Sequence, residues 1–320
     1  MLNNMKPFIS IFSCTNWYLK YVGIPVTVGI AVYVLLNQIC TKRRRAALQG
    51  KVVLITGASS GIGEALAHAF YDQGSKVVLA ARRLNELERV KQDLQSKKLP
   101  IKTHEPVILV LDLADLDTID NFVQKVYELC GNIDILINNG GVSHRGSILH
   151  SKMEVFKQIM FINYFGSVGL TKAVLPKMVE RKSGHIVFVS SVQGLIAIPD
   201  RAAYAASKHA MQAFGDSLRA EMKQHQINVT VVSPGYIKTA VSLNALNESG
   251  GSHGVMDKST ASGFTAEYLA ERMLNSIVNK ENELIVSQFI PNLAIFLRHF
   301  TPYVYFWFMG KRAMNTKLQN

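Results

Sequence analysis

Between residues 51 and 290, short and almost continuously apolar runs alternate with longer amphipathic stretches. The apolar runs predict seven strands, at 52–56, 76–81, 107–111, 133–138, 185–190, 227–232 and 284–287. The amphipathic stretches predict helices at 61–73, 85–96, 115–130, 152–181, 204–224 and 266–279. This alternation is typical of parallel strands joined by crossover helices that cover both faces of a sheet. The pattern therefore predicts one doubly wound α/β domain with a parallel, seven-stranded, Rossmann-like sheet.

An apolar stretch near the N-terminus predicts a membrane-spanning helix. Residues 22–40 carry no charge, and at about 1.5 Å per residue such a helix nearly crosses a hydrocarbon core of about 30 Å. Trp17, Tyr18 and Tyr21 precede it, where interfacial aromatic residues collect. Basic residues at 42–45 follow it, where a signal peptide would show a small-residue cleavage pattern. We therefore expect an uncleaved signal anchor, with a cleaved signal peptide as the alternative.

The charge around this helix predicts its orientation. Two lysines precede the apolar stretch and four basic residues directly follow it. The positive-inside rule then places the α/β domain in the cytosol. We expect a single-pass protein of the endoplasmic reticulum membrane, and the lumenal orientation and a peroxisomal membrane stay open.

Two segments depart from the α/β alternation. Residues 241–264 are polar and glycine-rich, as in a mobile loop that closes over a ligand. Residues 289–309 are apolar and aromatic but are interrupted by prolines and an arginine, so they do not clearly predict a second span. We expect them to lie on the bilayer or to line a lipophilic substrate entrance, with core packing as the alternative. The predicted organisation is an N-terminal segment 1–21, an anchor 22–40, a basic linker 41–47, the α/β domain 48–290 and an apolar, basic C-terminal segment 291–320.

The net charge of +12 comes mostly from the two ends of the 320-residue chain. Residues 1–50 carry six basic and no acidic side chains, and residues 291–320 carry four and none. The α/β domain is close to neutral, so the basic balance does not indicate nucleic-acid binding. Three cysteines cannot form a disulfide framework, and the nine histidines form no pair at metal-ligand spacing, so we expect no metal site.

A glycine-rich turn, TGASSGIG, joins the first predicted strand to the first crossover helix. Gly57 would permit the tight turn, Gly61 would let the backbone approach a pyrophosphate, and Gly63 would allow close helix packing. The helix N-terminus would offer free N–H groups and the positive end of its dipole. The pattern predicts a dinucleotide site, with an ordinary tight turn as the alternative.

The end of the second predicted strand indicates which dinucleotide binds. A site for NAD usually has an acidic residue there, about 20 positions after the turn, that binds the ribose. This chain has Arg82 and Arg83 instead, which suit a 2′-phosphate. We therefore favour NADP(H), with NAD(H) as the alternative, and exposed arginines at a helix start as the structural alternative. Asp112 and Leu113, after the third strand, could contact the adenine.

Tyr204 and Lys208 stand four residues apart, on one face of a predicted helix. A tyrosine with a pKa near 10 is a poor acid or base at neutral pH, and a neighbouring cation lowers such a pKa. We therefore expect Lys208 to lower the pKa of Tyr204. Ser191 follows a predicted strand, at the sheet edge where α/β proteins bind ligands, so its hydroxyl could hold a substrate oxygen.

These motifs occur together, in the same order, in a known family. The chain resembles the short-chain dehydrogenase/reductases over about residues 48–290. The glycine turn is similar to the family's cofactor turn, Asn138–Gly141 to its NNAG segment, and the Ser, Tyr and Lys residues to its reacting trio. Gly140 replaces the family's alanine, and we expect it to loosen the loop slightly. The anchor, the basic cluster, the YAASKHA sequence and the C-terminal end are most similar to a membrane-bound group of the family.

The resemblance implies roles for further residues. Asn163 would complete a water-linked proton relay, and Lys208 would also hold the nicotinamide ribose. The PGYIKT sequence resembles the family's turn beside the nicotinamide, with Thr239 near its carboxamide. The remaining candidate cofactor-binding residues are Ser59, Ser60, Ile62, Asn139 and Pro234.

The sequence thus predicts a membrane-anchored oxidoreductase that interconverts a ketone or aldehyde and an alcohol on a lipophilic, lipid-, steroid- or retinoid-like substrate. A membrane-tethered scaffold without catalysis is the alternative, because intact motifs indicate competence rather than use. Family members commonly pair through helices corresponding to 115–130 and 152–181, so a homodimer stays open. The loop 241–264 shows no readable pocket chemistry, and the specific substrate is not predicted.

Overall fold

The computed structural model describes residues 19–317 of the chain. Trp17, Tyr18 and most of the predicted N-terminal segment lie outside the described residues, as do 318–320 of the C-terminal segment. The chain divides into two compact units, Met1–Ala47 and Leu48–Asn320.

The described part of the first unit is one exposed helix. Helix α1 spans Ile24–Ala46 and follows a π-helical turn, Leu19–Gly23. Pro25 lies in its first turn, where the missing N–H would have no acceptor within the helix. None of its residues is buried, and Leu19–Ala46 is long and apolar enough to cross a membrane. The predicted N-terminal apolar helix that could span a membrane is confirmed.

The second unit contains a parallel sheet of seven strands. The strands are β1 Val52–Thr56, β2 Lys76–Ala81, β3 Val107–Val110, β4 Ile135–Asn138, β5 Gly184–Val189, β6 Ile227–Pro234 and β7 Glu283–Val286. They lie in the order β3-β2-β1-β4-β5-β6-β7. The winding reverses between β1 and β4, and such reversal points are where doubly wound sheets bind ligands. The predicted fold class is confirmed.

Helices cover both faces of this sheet. They are α2 Gly61–Tyr71, α3 Leu84–Gln95, α4 Ile119–Cys130, α5 Met153–Met160, α6 Gly166–Arg181, α7 Ala202–Met222, α8 Lys258–Ala261 and α9 Ala266–Val278. Val53 and Ile55 of β1 pack into one core cluster, whereas Val52 and Leu54 pack into another. Alternate strand residues point to opposite faces, so a strand covered on both sides must be apolar at every position. This explains why the strands appear in the sequence as unbroken apolar runs.

The predicted helix 152–181 is interrupted by a π-helical turn, Phe161–Phe165, between α5 and α6. The segment Met153–Arg181 also has the length and composition of a span, but it is substantially buried. It contributes Ile159, Leu170 and Val174 to the core of the second unit. It is therefore a crossover element of the α/β fold.

Two more helices follow β7. Helix α10 spans Phe289–Phe300 and α11 spans Pro302–Lys317. The break falls next to Pro302, because the residue before a proline disfavours helical geometry. Most of the large apolar side chains of α10 and α11 are exposed. Core packing, the alternative for residues 289–309, does not account for this segment.

Candidate active site

Two adjoining cavities lie at the carboxyl ends of the strands. The first, which we call the turn cavity, has a volume of about 440 Å³ and contains the glycine-rich turn. The second, which we call the tyrosine cavity, has a volume of about 620 Å³ and contains Tyr204. Ile62, Asn139 and Thr239 line both, so the two cavities share a wall.

The backbone of the turn explains its three glycines. Gly57 and Gly61 have φ angles of +66° and +60°, in the left-handed region that favours glycine. At Gly63, which lies outside the lining of both cavities, a Cβ atom would lie 2.2 Å from the carbonyl oxygen of Gly57. Only glycine therefore allows α2 to pack this closely on the turn.

The same turn fits the pyrophosphate of a dinucleotide. Ser60 is the N-cap residue of α2, and its side chain makes no capping hydrogen bond. Ser60, Gly61 and Ile62 line the turn cavity, so the N-terminus of α2 is open to it. Uncapped N–H groups and the positive end of a helix dipole form a site for a phosphate group.

The end of β2 brings a cation to this turn. Arg83 Nη2 donates hydrogen bonds of 3.1 Å to Ser59 Oγ and to Ser60 Oγ. Arg82 also lines the turn cavity, and Asp112 is the one carboxylate among the described lining residues. Asp112 Oδ1 accepts a hydrogen bond from the Ala114 N–H at 3.0 Å. The ribose end of the cavity therefore has hydroxyls and a guanidinium where an NAD site has an acid.

The segment after β4 closes the turn cavity. Asn139 Nδ2 donates to the carbonyl oxygen of Thr56 at 2.8 Å, and the N–H groups of Asn139 and Gly140 donate to Thr56 Oγ1. A Cβ at Gly140 would lie 2.6 Å from Leu113 Cδ1. Leu113 thus occupies the space of the family's alanine methyl, which offsets the loosening expected at Gly140.

Ser191, Tyr204 and Lys208 all line the tyrosine cavity. Ser191 follows β5, and its Oγ accepts a hydrogen bond from the Gln193 N–H at 3.1 Å. Tyr204 and Lys208 lie one turn apart on α7. The Lys208 ammonium donates to the carbonyl oxygen of Val189 at 2.8 Å and lies 5.7 Å from the centre of the Tyr204 ring.

The pKa shifts of this pair correct one expectation. Burial raises the pKa of Tyr204 above 10.0, although a hydrogen bond with Ser191 and the charges of Arg145 and Arg201 act to lower it. Burial also lowers the pKa of Lys208 from 10.5 to about 8. Burial therefore outweighs the lowering that a neighbouring cation was expected to give, so the net pKa of Tyr204 is raised. A phenol with a raised pKa stays protonated at neutral pH and is suited to donate a proton.

Asn163 lies in the π-helical turn and outside the lining of both cavities. Its Oδ1 accepts from the Val142 N–H at 2.8 Å, and its Nδ2 donates to the Val142 carbonyl and to Ser207 Oγ, both at 2.9 Å. A Cβ at Gly141 would lie 3.0 Å from Asn163 Oδ1 and 3.6 Å from Lys208 Nζ. Asn163 therefore fixes the loop that lies next to the lysine.

A charged cluster in the tyrosine cavity was not predicted from the sequence. Nε and Nη2 of Arg145 both donate to Asp257 Oδ2, the former at 2.9 Å, and Arg201 Nη2 lies 3.5 Å from the same oxygen. Burial would raise the pKa of Asp257, but the hydrogen bonds and charges of both arginines outweigh it, so that pKa lies below 3.8. Burial lowers the pKa of Arg201 to about 10. With both arginines charged, the cluster carries one excess positive charge beside Tyr204.

Parts of this cluster had a sequence signal. Arg201 precedes Tyr204 by three residues, and Arg145 follows the segment that resembles NNAG. Asp257 lies in the loop 241–264, whose polar composition indicated mobility and no specific contact. In the structure, a bridge from Leu246 to His144 and the Asp257 ion pairs tie this loop to the rest of the unit.

The rest of the tyrosine cavity combines an unsatisfied acceptor with an apolar wall. Gln193 Oε1 is buried, lies on a residue of the lining and has no hydrogen-bond partner among the described residues. Helices α10 and α11 supply Ile290, Ala294 and Met309 to the lining. Pro234 lines this cavity, and Thr239 lines both. Among residues 19–317, no group of three or more His, Cys, Asp or Glu side chains is arranged to hold a metal ion.

Comparison with known proteins identifies the family. The family model for the short chain dehydrogenases matches residues 51–249, more than half of the chain. The chain belongs to the short-chain dehydrogenase/reductase family. It is accordingly an NAD(P)-dependent oxidoreductase, and its fold implies a nicotinamide cofactor and a small-molecule substrate.

Similar family members extend over nearly the whole chain. A Drosophila melanogaster protein named Dehydrogenase/reductase SDR family protein 7-like is 53% identical over 304 residues, 95% of this chain and 92% of the relative. A Xenopus tropicalis protein named Dehydrogenase/reductase SDR family member 7B is 45% identical over 291 residues, 90% of this chain and 94% of the relative. The expected similarity to a particular group within the family is confirmed by these relatives.

A solved family structure shares the fold. The crystal structure of a short-chain dehydrogenase from Streptomyces avermitilis aligns with a TM-score of 0.67 and 23% sequence identity. The alignment covers 84% of this chain and 99% of that one. At this identity the likeness shows the fold alone.

Proposed function

We propose that this short-chain dehydrogenase/reductase is a membrane-anchored, NADP(H)-dependent reductase of a carbonyl group on a lipophilic substrate. One observation carries the proposal: Ser191, Tyr204 and Lys208 line a single cavity that adjoins the glycine turn and has an apolar wall. A site with this composition can bind a lipophilic molecule and act on its one polar group.

The turn cavity would hold most of the cofactor, and the adjoining tyrosine cavity would hold part of its nicotinamide half. The backbone at Ser60, Gly61 and Ile62 would bind the pyrophosphate, and Arg83 with the Ser59 hydroxyl would bind a 2′-phosphate. Arg82 would also contact the 2′-phosphate, and Asp112 and Leu113 would contact the adenine. The nicotinamide half is assigned to Asn139, Lys208, Pro234 and Thr239. When bound, the nicotinamide supplies the hydride for reduction. The guanidinium at the end of β2 supports NADPH over NADH.

The side chains of the tyrosine cavity would supply the proton chemistry. The Ser191 hydroxyl donates a hydrogen bond to the carbonyl oxygen and makes the carbon more electrophilic. The protonated Tyr204 hydroxyl donates its proton to that oxygen as it becomes an alkoxide. The positive charges of Lys208, Arg145 and Arg201 stabilise the phenolate that remains. A proton relay supported by Asn163 then returns a proton to Tyr204.

The charged cluster indicates which class of substrate the tyrosine cavity favours. Two arginines face one carboxylate beside Tyr204, so the polar end of the cavity is positive. This favours a lipophilic substrate whose reacting carbonyl stands near a polar or anionic group. Gln193 Oε1 offers an acceptor for a hydroxyl group on such a substrate.

The location of the enzyme is part of the proposal. Helix α1 would anchor it in the endoplasmic reticulum membrane with the second unit in the cytosol, because the basic residues follow the span. The predicted division into anchor, basic linker and α/β domain is supported by the boundary at Ala47. Protease protection in sealed microsomes tests the orientation: a cytosolic second unit is digested without detergent, whereas a lumenal one survives. A homodimer through the helices within 115–181 stays a prediction.

Turnover by the full chain in lipid nanodiscs tests the proposed activity. NADPH consumption is measured with long-chain ketones, retinoids, steroids and acylated dihydroxyacetone phosphates in turn. We expect at least one compound to be reduced, with one NADPH consumed per alcohol formed. If folded protein binds NADPH but reduces none of them, the scaffold alternative takes the place of this proposal.

A further inference from the structure

The two C-terminal helices present an apolar outer surface. We call α10 and α11 together, Phe289–Lys317, the C-terminal hairpin. Its exposed side chains outside the lining of the tyrosine cavity include Phe296 at 54%, Phe300 at 65% and Tyr303 at 85%. Clusters of exposed aromatic side chains are uncommon on water-facing surfaces and mark contact sites.

The hairpin is attached to the catalytic unit by specific contacts. Tyr305 is buried, and its hydroxyl accepts a hydrogen bond from the Ala197 N–H at 3.2 Å and donates to the Ala197 carbonyl. Gln288, just before the hairpin, donates to the Tyr236 carbonyl at 3.0 Å and accepts from its N–H. These contacts hold the hairpin against segments that follow Ser191 and β6, so its exposed face has a fixed position.

The charges of the hairpin favour one kind of partner. The last acidic residue of the chain is Glu283, and the hairpin contains Arg298, Lys311, Arg312 and Lys317. Lys311 Nζ lies 3.9 Å from the centre of the Trp307 ring. Aromatic rings interleaved with basic side chains are typical of surfaces that lie in the headgroup region of anionic bilayers. A second copy of the same surface would instead bring like charges together.

The inner side of the hairpin belongs to the tyrosine cavity. Ile290 and Ala294 of α10 and Met309 of α11 line that cavity together with Tyr204. The helices that form the exposed apolar surface therefore also form the cavity wall.

We propose that the C-terminal hairpin is a second membrane-contacting element, which lies in the headgroup region of an anionic bilayer and admits lipophilic substrate to the tyrosine cavity directly from the lipid. The membrane contact is independent of catalysis, whereas the substrate route rests on the proposed function. The two parts therefore need separate measurements.

Tryptophan fluorescence tests the membrane contact without any turnover. The chain has two tryptophans, Trp17 and Trp307, so full-length Trp17→Phe reports on the hairpin alone. In vesicles of phosphatidylcholine and phosphatidylserine we expect brominated acyl chains to quench Trp307, and Arg298→Gln with Lys311→Gln to weaken the quenching. Equal emission with and without bromine overturns the proposal. So does shielding from both bromine and aqueous iodide, which assigns the surface to a second copy.

Kinetics with two substrates test the route. Phe300→Ser with Tyr303→Ser removes exposed apolar area, and Ile148→Ser with Leu149→Ser removes a similar area elsewhere, because these residues are 73% and 84% exposed. We expect the hairpin variant to raise KM for a vesicle-borne long-chain ketone about tenfold, by loss of burial. For a short, water-soluble ketone, the kcat and KM of the hairpin variant should equal those of the wild type.

The same kinetics separate the two possible failures. Equal effects of both double variants, or an equal effect on both ketones, overturn the route. If the wild-type chain reduces no carbonyl at all, the proposed function fails, and the Trp307 measurement still decides the membrane contact.

Discussion

The two cavities are built in different ways. Four short stretches that each follow a strand form most of the turn cavity, and Gly57, Gly61 and Gly63 belong to one continuous turn. The tyrosine cavity gathers Arg145, Tyr204 and Asp257 and the C-terminal hairpin from distant parts of the chain. The first cavity follows from local backbone geometry, whereas the second depends on long-range packing. The turn cavity, whose motif is shared with the family, is therefore formed by local sequence. The cavity that would select a substrate is assembled from distant segments of the chain.

Charge separates the cavities as well. In the turn cavity the Arg83 guanidinium donates only to hydroxyl groups among the described residues, so its charge is available to a phosphate. In the tyrosine cavity Asp257 compensates one of the two arginine charges, and the remaining positive charge acts on a buried phenol. We therefore expect substitutions in the first cavity to change binding and substitutions in the second to change turnover and its pH dependence.

Loss of the Tyr204 hydroxyl should have the largest effect, and that effect should fall on turnover. In Tyr204→Phe the proton donor is gone, so kcat should fall by roughly 10²- to 10⁴-fold, whereas the Kd of NADPH should change little. Steady-state kinetics and a fluorescence titration measure the two effects. Tyr268→Phe, which removes an exposed phenol of α9, is the matched control and should keep full activity. Substantial turnover by Tyr204→Phe would contradict the assigned role.

Removal of Arg83 should have the next largest effect, and on binding. Arg83→Ala loses a charge-assisted contact of about 1.5–3 kcal/mol, so the Kd of NADPH should rise roughly tenfold to a hundredfold. The Kd of NADH should stay within about twofold, since NADH lacks the 2′-phosphate. Arg272→Ala, on the exposed face of α9, is the control. Equal weakening of both cofactors would show that Arg83 supports the turn instead of selecting NADPH.

Asp257→Asn should shift a pH profile. It removes the carboxylate that compensates Arg145 and Arg201, and the stronger positive charge should lower the pKa of Tyr204. Reduction needs the protonated phenol, so its alkaline loss of activity should move to lower pH, by on the order of one unit. Asp216→Asn, in an exposed ion pair with Arg219, is the control. An unshifted pH profile would show that the charge of this cluster does not affect the pKa of Tyr204.

The smallest expected effect lies in the sheet that supports both cavities. Burial lowers the pKa of His185 in β5 to about 3, and its Nε2 lies 2.8 Å from Thr230 Oγ1. The unfolded chain binds this proton below about pH 6.5 and the folded chain does not, so stability should fall from there toward pH 3. The contribution is at most about 1.4 kcal/mol per pH unit. Urea unfolding of full-length wild type and His185→Gln in detergent, at several pH values, should show a flatter dependence in the variant; parallel curves would exclude His185.

Much of the fold could be predicted because each strand is a continuous apolar run and each helix is amphipathic. The pattern identified all seven strands, with boundaries within two residues. The glycine turn was predictable too, since positive φ angles and close backbone approach demand glycine at particular positions. The π-helical turn at Asn163 was not, because a single turn is too short to show a period of its own in the hydrophobic pattern.

The reacting cavity was predicted only in part. Spacing and family resemblance selected Ser191, Tyr204 and Lys208, and these three line one cavity. Their electrostatics could not be read from spacing, because the pKa of Tyr204 depends on burial and on arginines from two other segments. Asp257 was missed for the same reason: its partner Arg145 stands more than a hundred residues away along the chain.

The central claim is that the two cavities form one active site in which a hydride and a proton reach the same carbonyl. The most direct test is a single turnover by the full chain in nanodiscs, with NADPH deuterated at both C4 positions and a ketone from the panel above. The account predicts one deuterium on the new carbinol carbon of each product molecule. Alcohol without deuterium, or bound NADPH and ketone that do not react, would contradict it.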